Sequence, residues 1–136
     1  MTHVKSCLAA FTGGALGVLG FAPFHFWPAA IASIAVLFAL WLRPSRKRGG
    51  FAIGFLWGLG LFLAGVSWIY VSLHVYGNMP AILAALATLL FCAYLSLFPA
   101  MGGVVVQWMR NRAASASTAR FLLLAMPAIF VACEML

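Results

Sequence analysis

The apolar positions of this chain fall in long runs separated by short polar or turn-forming stretches. From Ser6 to Leu42, and again from Gly49 to Met109, there is no Lys, Arg, Asp or Glu. A helix needs about 20 apolar residues to cross a hydrocarbon core of roughly 30 Å. Each run is longer than that and must fold back on itself. Pro23 and Pro28 divide the first run, and the turn Leu73–Pro80, with its Gly-Asn-Met-Pro ending, divides the second. The pattern predicts an all-α integral membrane protein, a multi-span helical bundle with about five transmembrane segments at 6–21, 28–42, 51–73, 81–106 and 121–136. The first two segments are only about 24 Å long, so they form either two tight spans or a hairpin that stops short of the far surface. Pro99 lies inside the fourth and is expected to kink it or mark a local break. Residues 107–120 read as a polar connection. The last segment is too short to finish a crossing, which predicts the front part of a longer protein. An early stop or an incomplete gene record would look the same.

Composition strengthens the membrane reading. The chain is 66% hydrophobic and 7% charged over 136 residues, more apolar surface than a soluble domain of this size can hide. The formal charge is +7, and its placement decides its meaning. Lys5 precedes the first run, Arg43, Arg46, Lys47 and Arg48 share one loop, and Arg110, Arg112 and Arg120 share another. With each run a hairpin, all eight basic residues lie on one side, which marks that side as cytoplasmic. The same reading puts the N-terminus in the cytoplasm and the turns 21–28 and 73–80 on the opposite face. Neither basic loop carries the aromatic or polar interleaving of a nucleic-acid surface, so no nucleic-acid partner is expected. Lys5 before an apolar run resembles a signal peptide, but the run passes through an aromatic, proline-rich turn into more apolar chain, as an uncleaved first helix does. No internal repeat and no soluble domain are visible.

Small residues suggest close helix contacts. Gly13 and Gly17 form one GxxxG pair, and Gly54 and Gly58 form another. Cys7, Cys92 and Cys133 are widely spaced in apolar sequence, with neither metal-ligand nor disulfide spacing, and read as packing residues.

Candidate chemistry is sparse. Glu134 is the only acidic residue and lies about 21 Å beyond Arg120 along a helix. An intramembrane carboxylate costs roughly 2.5–3.5 kcal/mol on insertion scales. It is expected either to face a partner or substrate, as a structural brace above all, or to sit protonated or snorkelling near the far interface. Trp68, Tyr70 and His74 fall at the end of the third segment, about 26 to 35 Å from Phe51. They form either an aromatic belt that seats the helix or a lateral wall admitting a lipid headgroup or lipid-linked substrate. In the second case His74 would bond a phosphate or carbonyl oxygen. His25 lies on the same side as a turn residue. No nucleophile, base and orienting group lie within reach of one another, and the sequence holds no phosphate loop, HExxH or GxSxG. No catalytic residue, metal site or cofactor is therefore expected in this segment.

A specific likeness runs through the chain. Gly17-Val-Leu-Gly-Phe-Ala-Pro-Phe24, Trp27-Pro-Ala-Ala30, Gly54-Phe-Leu-Trp-Gly-Leu-Gly60, Gly65-Val-Ser-Trp-Ile-Tyr-Val-Ser72, Tyr76-Gly-Asn-Met-Pro80 and Ala93-Tyr-Leu-Ser-Leu97 occur in order. Together they resemble the opening of bacterial apolipoprotein N-acyltransferases, as do Pro127-Ala128 and Glu134-Met-Leu136. The resemblance implies an enzyme of the bacterial cytoplasmic membrane acting in lipoprotein maturation. Such an enzyme moves an acyl chain from a phospholipid donor to the N-terminal diacylglyceryl-cysteine of an apolipoprotein acceptor. It also implies that the chemistry resides in a periplasmic nitrilase-like domain with a Glu-Lys-Cys triad. None of that domain matches this chain, so the cysteines here and Glu134 are not triad members. This segment is then expected to be inactive alone, an anchor among membrane lipids that helps shape lipid access, with Trp68, Tyr70 and His74 as its wall. The competing classes are a small multi-span transporter, which would need an intramembrane ionisable network, and a purely structural membrane protein.

Overall fold

The computed structural model describes residues 2–21, 25–42 and 47–112, and all regular structure among them is helical. Helix α1 spans Thr2–Gly17 and tightens into a 3-10 turn at Val18–Gly20. The chain then reverses through bonds from the Phe21 amide to Val18 O (3.0 Å) and from the Phe26 amide to Leu19 O (3.0 Å). Helix α2 spans Trp27–Trp41, with Pro28 in its first turn, where a missing N–H leaves no helix bond unmade. Helix α3 spans Lys47–Gly65 and helix α4 Trp68–Val71. A π-helical turn over Ser72–Tyr76 follows, then helix α5 over Ala81–Arg112.

Two helices are long and apolar enough to cross a membrane, over Arg48–Gly65 and Ala81–Asn111, while α1 and α2 are shorter apolar helices. The described chain is thus an apolar helical bundle with two candidate spans. The predicted segment 121–136, with Cys133 and Glu134, lies outside the described residues. The segment predicted as one span over 51–73 is divided: α3 ends at Gly65, and the helix resumes at Trp68. A glycine two residues before a serine is a usual cause of such a break. Ser67 Oγ also reaches back to Ala64 O at 3.5 Å. Helix α5 passes through Pro99 without ending, although that residue cannot donate a bond to Leu95 O.

Helix α3 is the centre of the bundle, packed between α1 and α5, with α2 lying chiefly on α1. Glycines make these approaches possible. Gly13 and Gly17 face α2, where Cβ atoms added to them would meet Val36 Cγ1 at 3.2 Å and Ser33 Oγ at 2.7 Å. Gly54 and Gly58 face α5, together with Gly50 one turn earlier, and meet Pro99, Ser96 and Gly103. Both GxxxG pairs thus sit at close contacts, but with different partners. Van der Waals packing between backbones is a main force holding helices together in lipid, where apolar burial gives little advantage.

The end of the bundle that carries the basic residues is tied by polar side chains of α5. Gln107 Nε2 donates to Trp41 O at 2.7 Å, and Arg110 Nη1 donates to Leu42 O at 3.0 Å. These carbonyls end α2 and have no later helical amide to meet. A guanidinium there also complements the negative end of the helix dipole. Leu37, Leu40, Trp41, Ile53, Trp57 and Val106 form most of the buried core nearby.

Candidate functional site

The opposite end of the bundle is built by the division of α3. Helix α4 and the π-helical turn lie against α5. Wider helical windings of this kind are frequent at functional sites. The turn closes with Gly77 N donating to Ser72 O at 3.0 Å and Met79 N donating to Leu73 O at 3.1 Å. Asn78 adopts φ 48°, a left-handed conformation that its short polar side chain tolerates.

This backbone arrangement brings Tyr70 and His74 together, their rings stacked 5.6 Å apart at 23°. His74 Nδ1 lies 2.9 Å from Met79 O, so the ring is held by both a face contact and an edge bond. Tyr70 is half-buried and His74 exposed. Trp68 does not share their face, because two residues rotate a helix by about 200°. It is 63% exposed and stands with exposed Phe21, Phe26, Trp27 and Tyr76 among the aromatic residues of this end. Of the three wall residues expected from sequence, two are therefore joined and the third is set apart from them. His25 also takes a left-handed conformation, φ 54°, in the α1–α2 turn.

Sequence reasoning did not single out the hollow beside this end. Val18 and Phe21 of the α1 terminus, Leu61 and Phe62 of α3, and Gly65 and Val66 at its break line a cavity of about 290 Å³. A second, of about 170 Å³, shares Phe21 and Leu61 and continues to Ala30, Ser33, Ile34 and Trp57. A third, of about 220 Å³, shares Phe62 and continues to Leu95, Phe98 and Pro99. Hydrocarbon side chains dominate all three. The hydroxyl of Ser33 is already engaged, donating to Gly13 O at 2.7 Å. Trp57 Nε1 donates to both Ser33 Oγ (3.1 Å) and Ser33 O (3.2 Å). Such a surface suits a hydrocarbon chain and offers a polar ligand little. At the break, Ile69 N donates to Val66 O at 3.0 Å and Tyr70 N to Ser67 O at 3.1 Å, so the turn that carries Val66 of the cleft leads directly into the segment of Tyr70.

Among the described residues, no group of three or more His, Cys, Asp or Glu could hold a metal ion. Cys7 is a half-buried free thiol and Cys92 a buried one. Cys92 sits in the apolar interior of α5, on the stripe that includes Ala84, Thr88 and Ser96, as a small packing residue would.

The sequence profile of the apolipoprotein N-acyltransferase N-terminal domain matches residues 13–136. An apolipoprotein N-acyltransferase of Nitrosomonas europaea is 49% identical over 107 residues, covering 78% of this chain and 21% of the relative. One of Methylococcus capsulatus is 42% identical over 133 residues, covering 98% of this chain and 25% of the relative. One of Pseudomonas syringae pv. tomato is 45% identical over 108 residues, covering 79% and 21%. The chain thus spans 21% to 25% of the length of these curated relatives.

Proposed function

This chain belongs to the apolipoprotein N-acyltransferase family, and on that premise we propose that it is the N-terminal membrane portion of such an enzyme. The whole protein would transfer an acyl chain from a phospholipid to the N-terminal diacylglyceryl-cysteine of an apolipoprotein. This portion would anchor it in the bacterial cytoplasmic membrane and shape the lipid's access to the reaction, with bond making carried out by the remainder. The charge distribution supports a cytoplasmic N-terminus, since Lys5 lies in the first turn of α1, Arg43, Arg46, Lys47 and Arg48 fall between the end of α2 and the first turn of α3, and Arg110 and Arg112 close α5.

The observation that carries the lipid-access reading is the cleft at the break of α3. It is apolar, lies between helices, and its lining includes Gly65 and Val66, just before the helix that carries Tyr70. An acyl chain can leave the bilayer for such a cleft at little cost, because it exchanges one hydrocarbon environment for another. The headgroup then stays at the level of the rim, where aromatic and imidazole groups are suited to an interface.

Filling the cleft tests the reading. A Cβ added at Gly65, which lines the cleft, would meet Val18 Cγ2 at an ordinary 3.5 Å, so Gly65→Trp is the variant chosen to fill it. In the chain reconstituted with a phospholipid carrying a mid-chain diazirine, labelling should concentrate on Leu61, Phe62 and Val66, and the variant should lose most of it. Fused to the remainder of a relative, the unsubstituted chain should support N-acylation of a lipoprotein, read by mass spectrometry, and the variant should not. Equal labelling of α3 in both forms would remove the cleft from the argument.

A further inference from the structure

A carbonyl oxygen can only accept a hydrogen bond, so the contact between His74 Nδ1 and Met79 O requires the proton to sit on Nδ1. In a neutral imidazole the other nitrogen then carries a lone pair and no hydrogen. The stacked Tyr70 ring restrains His74 from its face. The Met79 amide, bonded to Leu73 O, fixes the residue that supplies the carbonyl. The ring is therefore oriented before any ligand arrives, and His74 remains exposed. A neutral ring in this tautomer has nothing to donate from Nε2 to a phosphate or carbonyl oxygen. That expected role would need the protonated ring.

We propose that His74 presents Nε2 as a neutral hydrogen-bond acceptor for a primary ammonium group arriving at this end of the bundle. The inference rests on the lipid-access reading for its setting and names the chemistry of the group recognised at the rim. The wider charge distribution points the same way. The chain has a single acidic residue, and none lies between Gly49 and Met109. An ammonium near the π-helical turn therefore meets no carboxylate among the described residues. The ionisable neighbours on its own segment are Tyr70 and Tyr76, and the first turns of α5 packed against it, Ala81–Ala85, carry none. His25 lies in the α1–α2 turn at this end. Among the described residues, recognition of a cation here falls to neutral acceptors, and the oriented imidazole nitrogen of His74 is one of them. Two sources share this chemistry: an ethanolamine phospholipid headgroup and the free α-amino group of a lipid-anchored peptide.

The test is 15N NMR of the histidine-labelled chain in lipid nanodiscs. His3→Gln and His25→Asn leave His74 as the sole imidazole, and Asn tolerates the left-handed backbone at position 25. The unsubstituted chain checks that these changes leave the His74 resonances in place. The expected result is an Nδ1–H tautomer in choline phospholipid, whose headgroup has no N–H. The Nε2 resonance should move upfield in ethanolamine phospholipid if the headgroup is the ligand. It should move in choline phospholipid only on adding a diacylglyceryl-cysteinyl peptide with a free amine, and not its N-acetylated form, if the peptide is the ligand. An Nε2–H tautomer, a resonance unmoved in every arm, or a response only to anionic glycerol phospholipid would overturn the proposal. Loss of diazirine labelling in Gly65→Trp is read on separate residues, so the cleft and the ammonium site fail independently.

Discussion

Gly54→Ala and Gly65→Ala are the same substitution in one helix, and the structure predicts different costs for them. A methyl added at Gly54 lands on the backbone of α5, 2.8 Å from the Pro99 carbonyl carbon and 2.9 Å from Ala100 Cα. Carbon atoms pack best at about 3.5–4.0 Å, so α3 and α5 must part by about 0.5–1 Å, which forfeits a quarter to a half of each dispersion contact along the seam. Overpacking of this kind costs about 1–3 kcal/mol, and a collision with backbone rather than a flexible side chain belongs to the upper part of that range. Replacing glycine by alanine returns up to about 1 kcal/mol of helix propensity. The net expectation for Gly54→Ala is a loss of about 1–2 kcal/mol. At Gly65 the nearest atom is Val18 Cγ2 at 3.5 Å and no separation is forced; because Gly65 is the last residue of α3, the interior propensity gain applies only in part and alanine should be near neutral. Reversible unfolding in mixed micelles, followed by tryptophan fluorescence, measures both. Far-UV circular dichroism confirms that helix content is unchanged. A Gly54→Ala protein at least as stable as Gly65→Ala would refute the close α3–α5 seam.

The two buried core tryptophans should respond differently to loss of their N–H. Trp57→Phe removes the bond shared by Ser33 O and Oγ and should cost about 1–2 kcal/mol more than Trp41→Phe, whose Nε1 is buried without a partner. The same unfolding assay reads the difference, and equal costs would contradict the assigned network. Ser33→Ala loses its bond to Gly13 O and one branch from Trp57. It should destabilise by about 1 kcal/mol, with a coupling to Trp57→Phe near the 0.6 kcal/mol average for bonds between membrane helices. Asn78→Gly should be tolerated at φ 48°, whereas Asn78→Val should cost about 1–2 kcal/mol and disturb the His74–Met79 contact. The imidazole resonances of His74 would show that change directly.

Some of this architecture was legible residue by residue. Charge-free runs announce helices in lipid because each residue's transfer cost is nearly its own, whatever it later touches. Pro28 and the Gly77–Pro80 stretch mark chain reversals for equally local reasons, as the α1–α2 and α4–α5 connections confirm. The GxxxG pairs correctly announced close contacts, but spacing says only that a face is small, not which helix meets it. Gly13 and Gly17 went to α2, and Gly54 and Gly58 to α5. The division of α3 has a local trace in Gly65 and Ser67, yet its consequence depends on α5 lying where α4 can pack on it.

The candidate site shows where local reading stops. Tyr70 and His74 were foreseeable as one-turn neighbours, because helical spacing alone places them on one face. The partner of His74, however, is a main-chain carbonyl, an atom every residue carries, so nothing in the identity of Met79 marks it. Phe21, Leu61 and Phe62 look the same in sequence whether they fill a core or line a cleft. By itself the sequence determined the medium, the helical class and the positions of the turns, because those follow from additive solvation and local backbone preference. Only the tertiary structure decided which backbones touch, where a hollow remains between them and which nitrogen of His74 faces the Met79 carbonyl. Each of those depends on atoms brought together from distant or chemically unmarked parts of the chain.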